Sequence, residues 1–154
     1  MVKEKNTDKI VALVGNPNVG KSTVFNALTG MHQHTGNWPG KTVSNASGYY
    51  EYNDINYKIY DLPGIYSLSP YSIEEMVSRD FIFDEKPDVI INIVDATSIE
   101  RSLYLTTQLM ELDTKVVLAL NMADILEKKG VSVNVKKLEE LLGVRVVEIS
   151  ALKE

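Results

Sequence analysis

Short runs of apolar residues alternate along the chain with segments of helical periodicity. A continuous apolar run at 10–14 has the length and character of a strand buried on both faces, 89–94 is predicted to be another buried strand, and the largely apolar segments 116–120 and 144–149 are also predicted to be strands. Two stretches rich in aromatic and β-branched residues, 48–52 and 55–60, are joined by Asn53-Asp54. This pattern is typical of a β-hairpin.

Apolar residues at helical spacing predict four helices between these strands. Residues 21–28 form the first and end at Gly30, and residues 135–142 form the last and end at Gly143. Two capping boxes, Ser72 with Glu75 and Thr97 with Glu100, predict the starts of the other two. Residues 32–43 are predicted to be a loop with little regular structure, and a loop of that length is more often functional than accidental.

Strands that alternate with helices predict an α/β fold. We expect a mostly parallel six-stranded sheet with one antiparallel edge strand, contributed by the hairpin, and with helices on both faces. Residues 1–8 form a polar tail, and residues 9–154 form one domain. Because such folds normally add a covering helix after the last strand, we expect the domain to be truncated before its final helix.

Composition narrows the possible functions. A chain of 154 residues with 44% apolar and 24% charged residues suits one soluble domain. A net charge of −5 argues against a general nucleic-acid binder. The chain has no cysteine, and His32 and His34 are too few for most histidine metal sites. Without an apolar run of roughly 20 residues or a signal peptide, we expect a cytoplasmic location for this chain.

A glycine-rich turn after the first strand carries the strongest functional signal. Residues 15–22, GNPNVGKS, match the phosphate-loop pattern G-x-x-x-x-G-K-S/T between a buried strand and a helix. The glycines let backbone N–H groups face phosphate, Lys21 should reach the β- and γ-phosphates, and the Ser22 hydroxyl should ligate Mg²⁺. The predicted phosphate-binding residues are Gly15, Asn16, Pro17, Asn18, Val19, Gly20, Lys21, Ser22 and Thr23.

Two weaker signals predict a magnesium and γ-phosphate sensor. Asp61 to Gly64 fits D-x-x-G, in which the carboxylate holds Mg²⁺ through a water and the Gly64 N–H contacts the γ-phosphate; taken alone it is also a common turn. Thr42 is the candidate second protein ligand of Mg²⁺, and Thr35 is its rival. The loops at about 32–43 and 64–71 would be ordered by the γ-phosphate and released on hydrolysis.

A third signal concerns the base. Asn121-Met122-Ala123-Asp124 fits the guanine pattern N-K/M-x-D, although alone it also suits a helix start. Asp124 can accept two hydrogen bonds from guanine that adenine cannot offer. Ser150, Ala151 and Leu152 are the predicted residues of a final base-contact loop. All these segments follow strands, and the carboxyl ends of parallel strands form one crevice.

Together these segments resemble the G domain of the FeoB family of prokaryotic ferrous-iron transporters. The resemblance covers 9–152, and its most specific part is GNWPGKTV at 36–43. Further matches are GNPNVGKS at 15–22, DLPGIYSL at 61–68, NIVDAT at 92–97, ERSLYL at 100–105 and NMAD at 121–124.

The resemblance implies a Ras-like P-loop GTPase fold and slow GTP hydrolysis, with Lys21, Thr42, Gly64 and Asn18 as catalytic residues. It implies K⁺ held by Asn18 and by the carbonyls of Gly36 and Trp38. It also implies a helical regulatory domain and a membrane permease as partners in the same native chain, at the cytoplasmic face of the membrane. A homo-oligomer is left open.

The residues themselves support the potassium hypothesis. Many GTPases place a water-orienting glutamine directly after D-x-x-G, whereas Ile65 stands here and has no group to position water. A bound cation could supply the charge neutralisation of an arginine finger. The alternatives are an RNA- or ribosome-associated GTPase, which salt-dependent RNA binding would indicate, and a P-loop ATPase or kinase, which Asp124→Asn would distinguish.

Overall fold

The structure, a computed structural model, describes residues 9–30, 33–40, 43–69 and 71–149. These residues form seven strands: β1 (Lys9–Gly15), β2 (Gln33–Asn37), β3 (Ser44–Tyr52), β4 (Ile55–Asp61), β5 (Val89–Asp95), β6 (Lys115–Asn121) and β7 (Arg145–Glu148). The helices are α1 (Lys21–Thr29), α2 (Ile73–Glu85), α3 (Ile99–Met110), α4 (Ala123–Lys128) and α5 (Val135–Leu142), with a short 3₁₀ turn, Ala96–Ser98, before α3. None of the helices within these ranges is long and apolar enough to cross a membrane.

All seven strands belong to one sheet in the order β2-β3-β4-β1-β5-β6-β7. Strand β1 pairs in parallel with β4 and β5, and β5–β6 and β6–β7 are also parallel. Strand β3 runs antiparallel to both β2 and β4. The largely parallel α/β fold predicted from the sequence is therefore confirmed.

The predicted number of strands was wrong, because part of the expected loop is a strand. Residues 33–37 pair with β3 from Gln33 opposite Gly48 to Asn37 opposite Ser44. The segment QHTGN has no apolar alternation, and backbone hydrogen bonds to a neighbouring strand do not require one. The antiparallel strand β3 consequently lies one position inside the edge of the sheet.

Side chains of β1 alternate between the two faces of the sheet and join a separate core on each. Ala12 and Val14 pack with α2 and α3, whereas Val11 and Leu13 pack with α1. A third cluster packs β6 and β7 against α4 and α5. Burial on both faces fixes the position of β1, and the phosphate loop begins at the carboxyl end of this strand.

One predicted capping box is confirmed and the other was wrong. The Ser72 hydroxyl accepts the Glu75 N–H at 3.0 Å, as expected for the start of α2. Thr97 instead donates both its N–H and its hydroxyl to Asp95, and α3 begins at Ile99. Asp95 therefore caps the 3₁₀ turn, because its carboxylate accepts the N–H of Thr97 two residues later.

Candidate nucleotide-binding site

The loop from Gly15 to Lys21 joins the end of β1 to the start of α1. Asn18 and Gly20 adopt left-handed backbone conformations, with φ of 65° and 90°. Gly20 is the N-cap of α1, and no side chain caps the helix there. The first N–H groups of α1 are consequently available to an anion, and the positive end of the helix favours one at this point.

Three glycines are required because other backbone segments approach them closely. A Cβ on Gly15 would lie 2.7 Å from the Ile93 carbonyl oxygen, and one on Gly64 would lie 2.8 Å from the Cα of Pro17. A Cβ on Gly20 would collide with the side-chain amide of Asn121. The phosphate loop is therefore packed directly against β5, the segment after β4 and the end of β6.

Lys21, Ser22 and Asp61 meet at the mouth of this loop. Lys21 forms an ion pair with Asp61, and their side chains are only 10% and 11% exposed. The Ser22 hydroxyl donates to the other carboxylate oxygen at 3.2 Å. A carboxylate beside a hydroxyl supplies the hard oxygen ligands that Mg²⁺ prefers, so the residues present fit the ion. The second predicted ligand, Thr42, lies outside the described residues.

A cavity of about 350 Å³ lies over the loop. Most of the predicted phosphate-binding residues line it, together with Gly64: Asn16, Pro17, Asn18, Gly20, Lys21, Ser22 and Thr23. Gly15 instead lies at the end of β1, and the buried side chain of Val19 packs in the core beneath α1. The cavity is thus formed by the loop from Asn16 onward, by the start of α1 and by Gly64 after β4.

Asn121 connects the end of β6 to the phosphate loop. Its side-chain amide donates to the Val19 carbonyl at 2.9 Å, and the residue is 3% exposed. Met122 follows with a left-handed backbone (φ 66°), and Asp124 lies half-buried in the first turn of α4. Sequence reasoning assigned Asn121 to the base and missed this contact, because no local pattern shows that the two segments are neighbours. The other predicted base-contact residues, Ser150, Ala151 and Leu152, lie outside the described residues.

The segment after β4 is bonded to the phosphate-loop strand. The Leu62 N–H donates to the Leu13 carbonyl at 3.3 Å, and the Ile65 N–H donates to the Gly15 carbonyl at 3.0 Å. The Ile65 side chain is 1% exposed and belongs to the core beneath α2 and α3. It therefore does not reach the cavity where a water-orienting glutamine would act.

The three residues predicted to hold K⁺ occupy different elements. Asn18 lines the phosphate cavity, Gly36 belongs to β2, and Trp38 follows β2. The Trp38 ring packs edge-on against Phe81 of α2 at 5.6 Å, and the backbone N–H of Trp38 donates to the Val43 carbonyl at 2.9 Å. Potassium coordination by these residues stays a prediction.

A second, polar cavity of about 230 Å³ borders the loop on the α3 side. Arg101 donates to the Tyr66 hydroxyl at 3.4 Å and lies 5.3 Å from the centre of its ring. Asn16 also lines this cavity, and its buried Oδ1 has no hydrogen-bond partner within the described part of the chain. The sequence did not predict this cavity, because only the fold brings Arg101 and Ser102 of α3 next to Asn16.

The phosphate loop, Lys21 and Asp61 lie together at the carboxyl edge of a mostly parallel sheet. This arrangement defines a class of protein. The chain is a P-loop GTPase domain with a Ras-like fold. A sequence model of the family described as "Ferrous iron transport protein B" matches residues 9–154. The chain therefore belongs to the FeoB family and corresponds to its N-terminal G domain.

Individual relatives agree with this assignment. The chain is 61% identical over 102 residues to the Fe(2+) transporter FeoB of Methanocaldococcus jannaschii, covering 66% of this chain and 15% of that protein. It is 48% identical over 145 residues to FeoB of Legionella pneumophila, covering 92% and 19%. The solved cytosolic domain of T. maritima FeoB in a GDP form matches with a TM-score of 0.92 and 39% identity, covering 96% of this chain and 58% of that one.

Proposed function

We propose that this domain binds GTP with Mg²⁺, hydrolyses it slowly with stimulation by K⁺, and thereby regulates ferrous-iron uptake by an attached membrane permease. The observation that carries the proposal is a cavity lined by Lys21, Ser22 and Gly64, with the Asp61 carboxylate bonded to both Lys21 and Ser22.

Phosphate binding follows from the loop and helix α1. The loop N–H groups and the uncapped start of α1 surround the β-phosphate, and Lys21 reaches the β- and γ-phosphates. Lys21 is paired with Asp61, which holds its ammonium group at the mouth of the phosphate loop. Ser22 and Thr42, with Asp61 through a water, would hold Mg²⁺, which supplies charge neutralisation on the phosphate oxygens when bound.

Base selection follows from the residues after β6 and β7. Asp124 accepts the two guanine N–H donors, Met122 packs beside the base, and Asn121 holds this segment against the phosphate loop through Val19. The loop of Ser150, Ala151 and Leu152 closes the other side of the base. An adenine ring would leave the Asp124 carboxylate poorly paired, which costs a few kcal/mol.

Hydrolysis depends on groups other than a glutamine side chain, because Ile65 is buried in the core. The Gly64 N–H would contact the γ-phosphate. Asn18, with the carbonyls of Gly36 and Trp38, would hold K⁺ next to the phosphates, where a positive charge lowers the cost of charge shifting to the leaving group. The protein groups thus bind and orient GTP and water, with no side chain acting as a general base.

The regulatory role concerns a longer protein. The chain spans between 15% and 22% of the length of the curated FeoB relatives that it matches. In the longer protein, a final helix would complete this domain, and a helical regulatory domain and the permease would follow. The domain would then act at the cytoplasmic face of the membrane, with the segments at about 32–43 and 64–71 reporting the nucleotide state.

The test is the rate of GTP hydrolysis in KCl and in NaCl at matched ionic strength. We expect K⁺ to stimulate turnover and Asn18→Ala to abolish the stimulation. Asn53→Ala is the matched control, because Asn53 also has a left-handed backbone but lies in the β3–β4 turn. Equal rates in the two salts would refute the potassium mechanism, and absence of any GTP turnover in either salt would refute the GTPase proposal.

A further inference from the structure

A buried polar bridge links α3 to the last residues of β1. The Asn92 side chain, on β5, donates from Nδ2 to the Val14 carbonyl at 3.1 Å. The Thr106 hydroxyl, on α3, donates to the Asn92 Oδ1. Asn92 is 1% exposed and Thr106 is 0% exposed, so both side chains are removed from water.

The bridge lies in otherwise apolar surroundings. The neighbours of Asn92 on β5 are Ile90, Ile91, Ile93 and Val94, and the α3 residues beside Thr106 include the buried Leu105 and Leu109. Burial of two polar groups costs free energy that their hydrogen bonds only approximately repay. Apolar residues of the same shape would serve stability equally well, so stability alone does not account for the bridge.

The position of the polar bridge accounts for its presence better than stability does. Val14 is the last residue before Gly15, which is paired with Ile93 of β5 so closely that a Cβ on Gly15 would lie 2.7 Å from the Ile93 carbonyl oxygen. The bridge therefore acts at the point where β1 turns into the phosphate loop. Helix α3 also holds the segment after β4, since the Gln108 side chain accepts the Leu68 N–H at 2.8 Å. One rigid helix is thus bonded to both segments that face the nucleotide phosphates.

We propose that Asn92 and Thr106 are positioning residues, which hold the phosphate loop in its nucleotide-binding geometry through the Val14 carbonyl and slow the release of GDP. The inference rests on the proposed nucleotide binding. It assigns to these two residues a role in nucleotide retention, although they lie outside the phosphate loop.

The experiment measures the dissociation rate of fluorescent mant-GDP and the urea midpoint of unfolding for each variant of the 154-residue chain. Asn92→Leu removes both hydrogen bonds of the bridge, and Thr106→Val removes only the one from α3. Each variant deprives a buried polar group of its partner, so both should lower the midpoint and raise the release rate, by about tenfold for Asn92→Leu. Thr106→Ser keeps the hydroxyl and should restore the native rate. Leu105→Val is the packing control on the same helix, and it should lower the midpoint without changing release.

The double variant Asn92→Leu/Thr106→Val separates positioning from stability. Replacing both partners by apolar groups should recover most of the lost stability, because few buried polar groups remain unpaired. We expect GDP release to stay fast in this variant. Native release from a restored double variant, or equally fast release from Leu105→Val, would overturn the inference while leaving nucleotide binding intact. Failure of the native chain to bind mant-GDP would overturn the proposed function and this inference with it.

Discussion

The proposed guanine selectivity rests on one carboxylate, that of Asp124 in the first turn of α4. In Asp124→Asn, an amide replaces one acceptor with a donor, so the variant should bind GTP about a hundredfold more weakly and should prefer xanthosine triphosphate. Competition of the two triphosphates against mant-GDP measures the preference.

Asp113→Asn is the matched control for this change. Asp113 is exposed and precedes β6 at the opposite end of that strand from Asp124. The Asp113→Asn substitution removes the same charge without touching the site, so the nucleotide preference of this variant should equal that of the native chain. An unchanged preference in Asp124→Asn would contradict guanine recognition by this residue.

Gly64 is the residue at which the segment after β4 touches the phosphate loop. An alanine Cβ would lie 2.8 Å from the Cα of Pro17, so Gly64→Ala must push the two segments apart. Separating these two segments near the γ-phosphate should lower kcat by about a hundredfold. GDP binding should change little, because it does not use the Gly64 N–H. Single-turnover hydrolysis and mant-GDP titration separate the two effects.

Gly130→Ala provides the comparison for that variant. Gly130 has a φ of 76°, but a Cβ there meets nothing within 4 Å. The substitution should cost about 1 kcal/mol of stability through backbone strain alone. Its turnover of GTP should match that of the native chain, and an equal loss of kcat in both variants would attribute the Gly64 effect to general destabilisation.

At the scale of elements, the apolar pattern predicted the buried strands and missed those formed by backbone pairing. Strands β1, β5 and β6 were predicted because each is buried, and burial demands apolar residues. Strand β2 lies at the edge of the sheet and consists of polar residues and glycine, so periodicity could not identify it. Helix α4 was not predicted either, since it has only six residues and starts at a left-handed Met122.

The candidate site likewise has one part that the sequence predicted and another that it did not. The sequence predicted the strand–loop–helix arrangement of the phosphate loop, because its residues are contiguous and close backbone approach dictates its glycines. Phosphate binding by these residues stays a prediction. Contacts between distant segments were not predictable: Lys21 with Asp61 spans 40 residues, and Asn121 with Val19 spans 102. Both depend on strand order, which brings the carboxyl ends of β1, β4 and β6 to one edge.

Helix α2 offers an element-scale prediction because its start is bonded to the second nucleotide-facing segment. Ser72 caps the helix by accepting the Glu75 N–H, and the Glu75 carboxylate accepts from the hydroxyls of Ser67 and Ser69. Loss of the cap in Ser72→Ala should lower the free energy of unfolding by about 1 kcal/mol, as measured by urea denaturation. Ser72→Asp retains an acceptor and should stay near the native value; equal losses in both variants would show that the cap contributes nothing.

At the scale of the whole molecule, the site is a meeting point of segments from the entire sheet. The phosphate loop follows β1, Asp61 ends β4, and Asn121 ends β6. A ligand that contacts all of them binds only the folded chain, since the unfolded chain does not hold these residues together. Nucleotide binding must therefore raise the free energy of unfolding by mass action.

The size of that effect can be stated in advance. GDP with Mg²⁺ at about one hundred times its Kd should add about 2.7 kcal/mol to the free energy of unfolding. For a domain of this length, that corresponds to a rise in Tm of about 5–10 °C, measured by circular dichroism at increasing GDP concentration. ADP at the same concentrations should produce a much smaller rise, because Asp124 cannot pair with adenine. An equal rise with both nucleotides would mean that the phosphates supply the binding contacts and that the base is not selected. That result would favour a P-loop ATPase or kinase over the guanine-specific domain that the residues after β6 indicate.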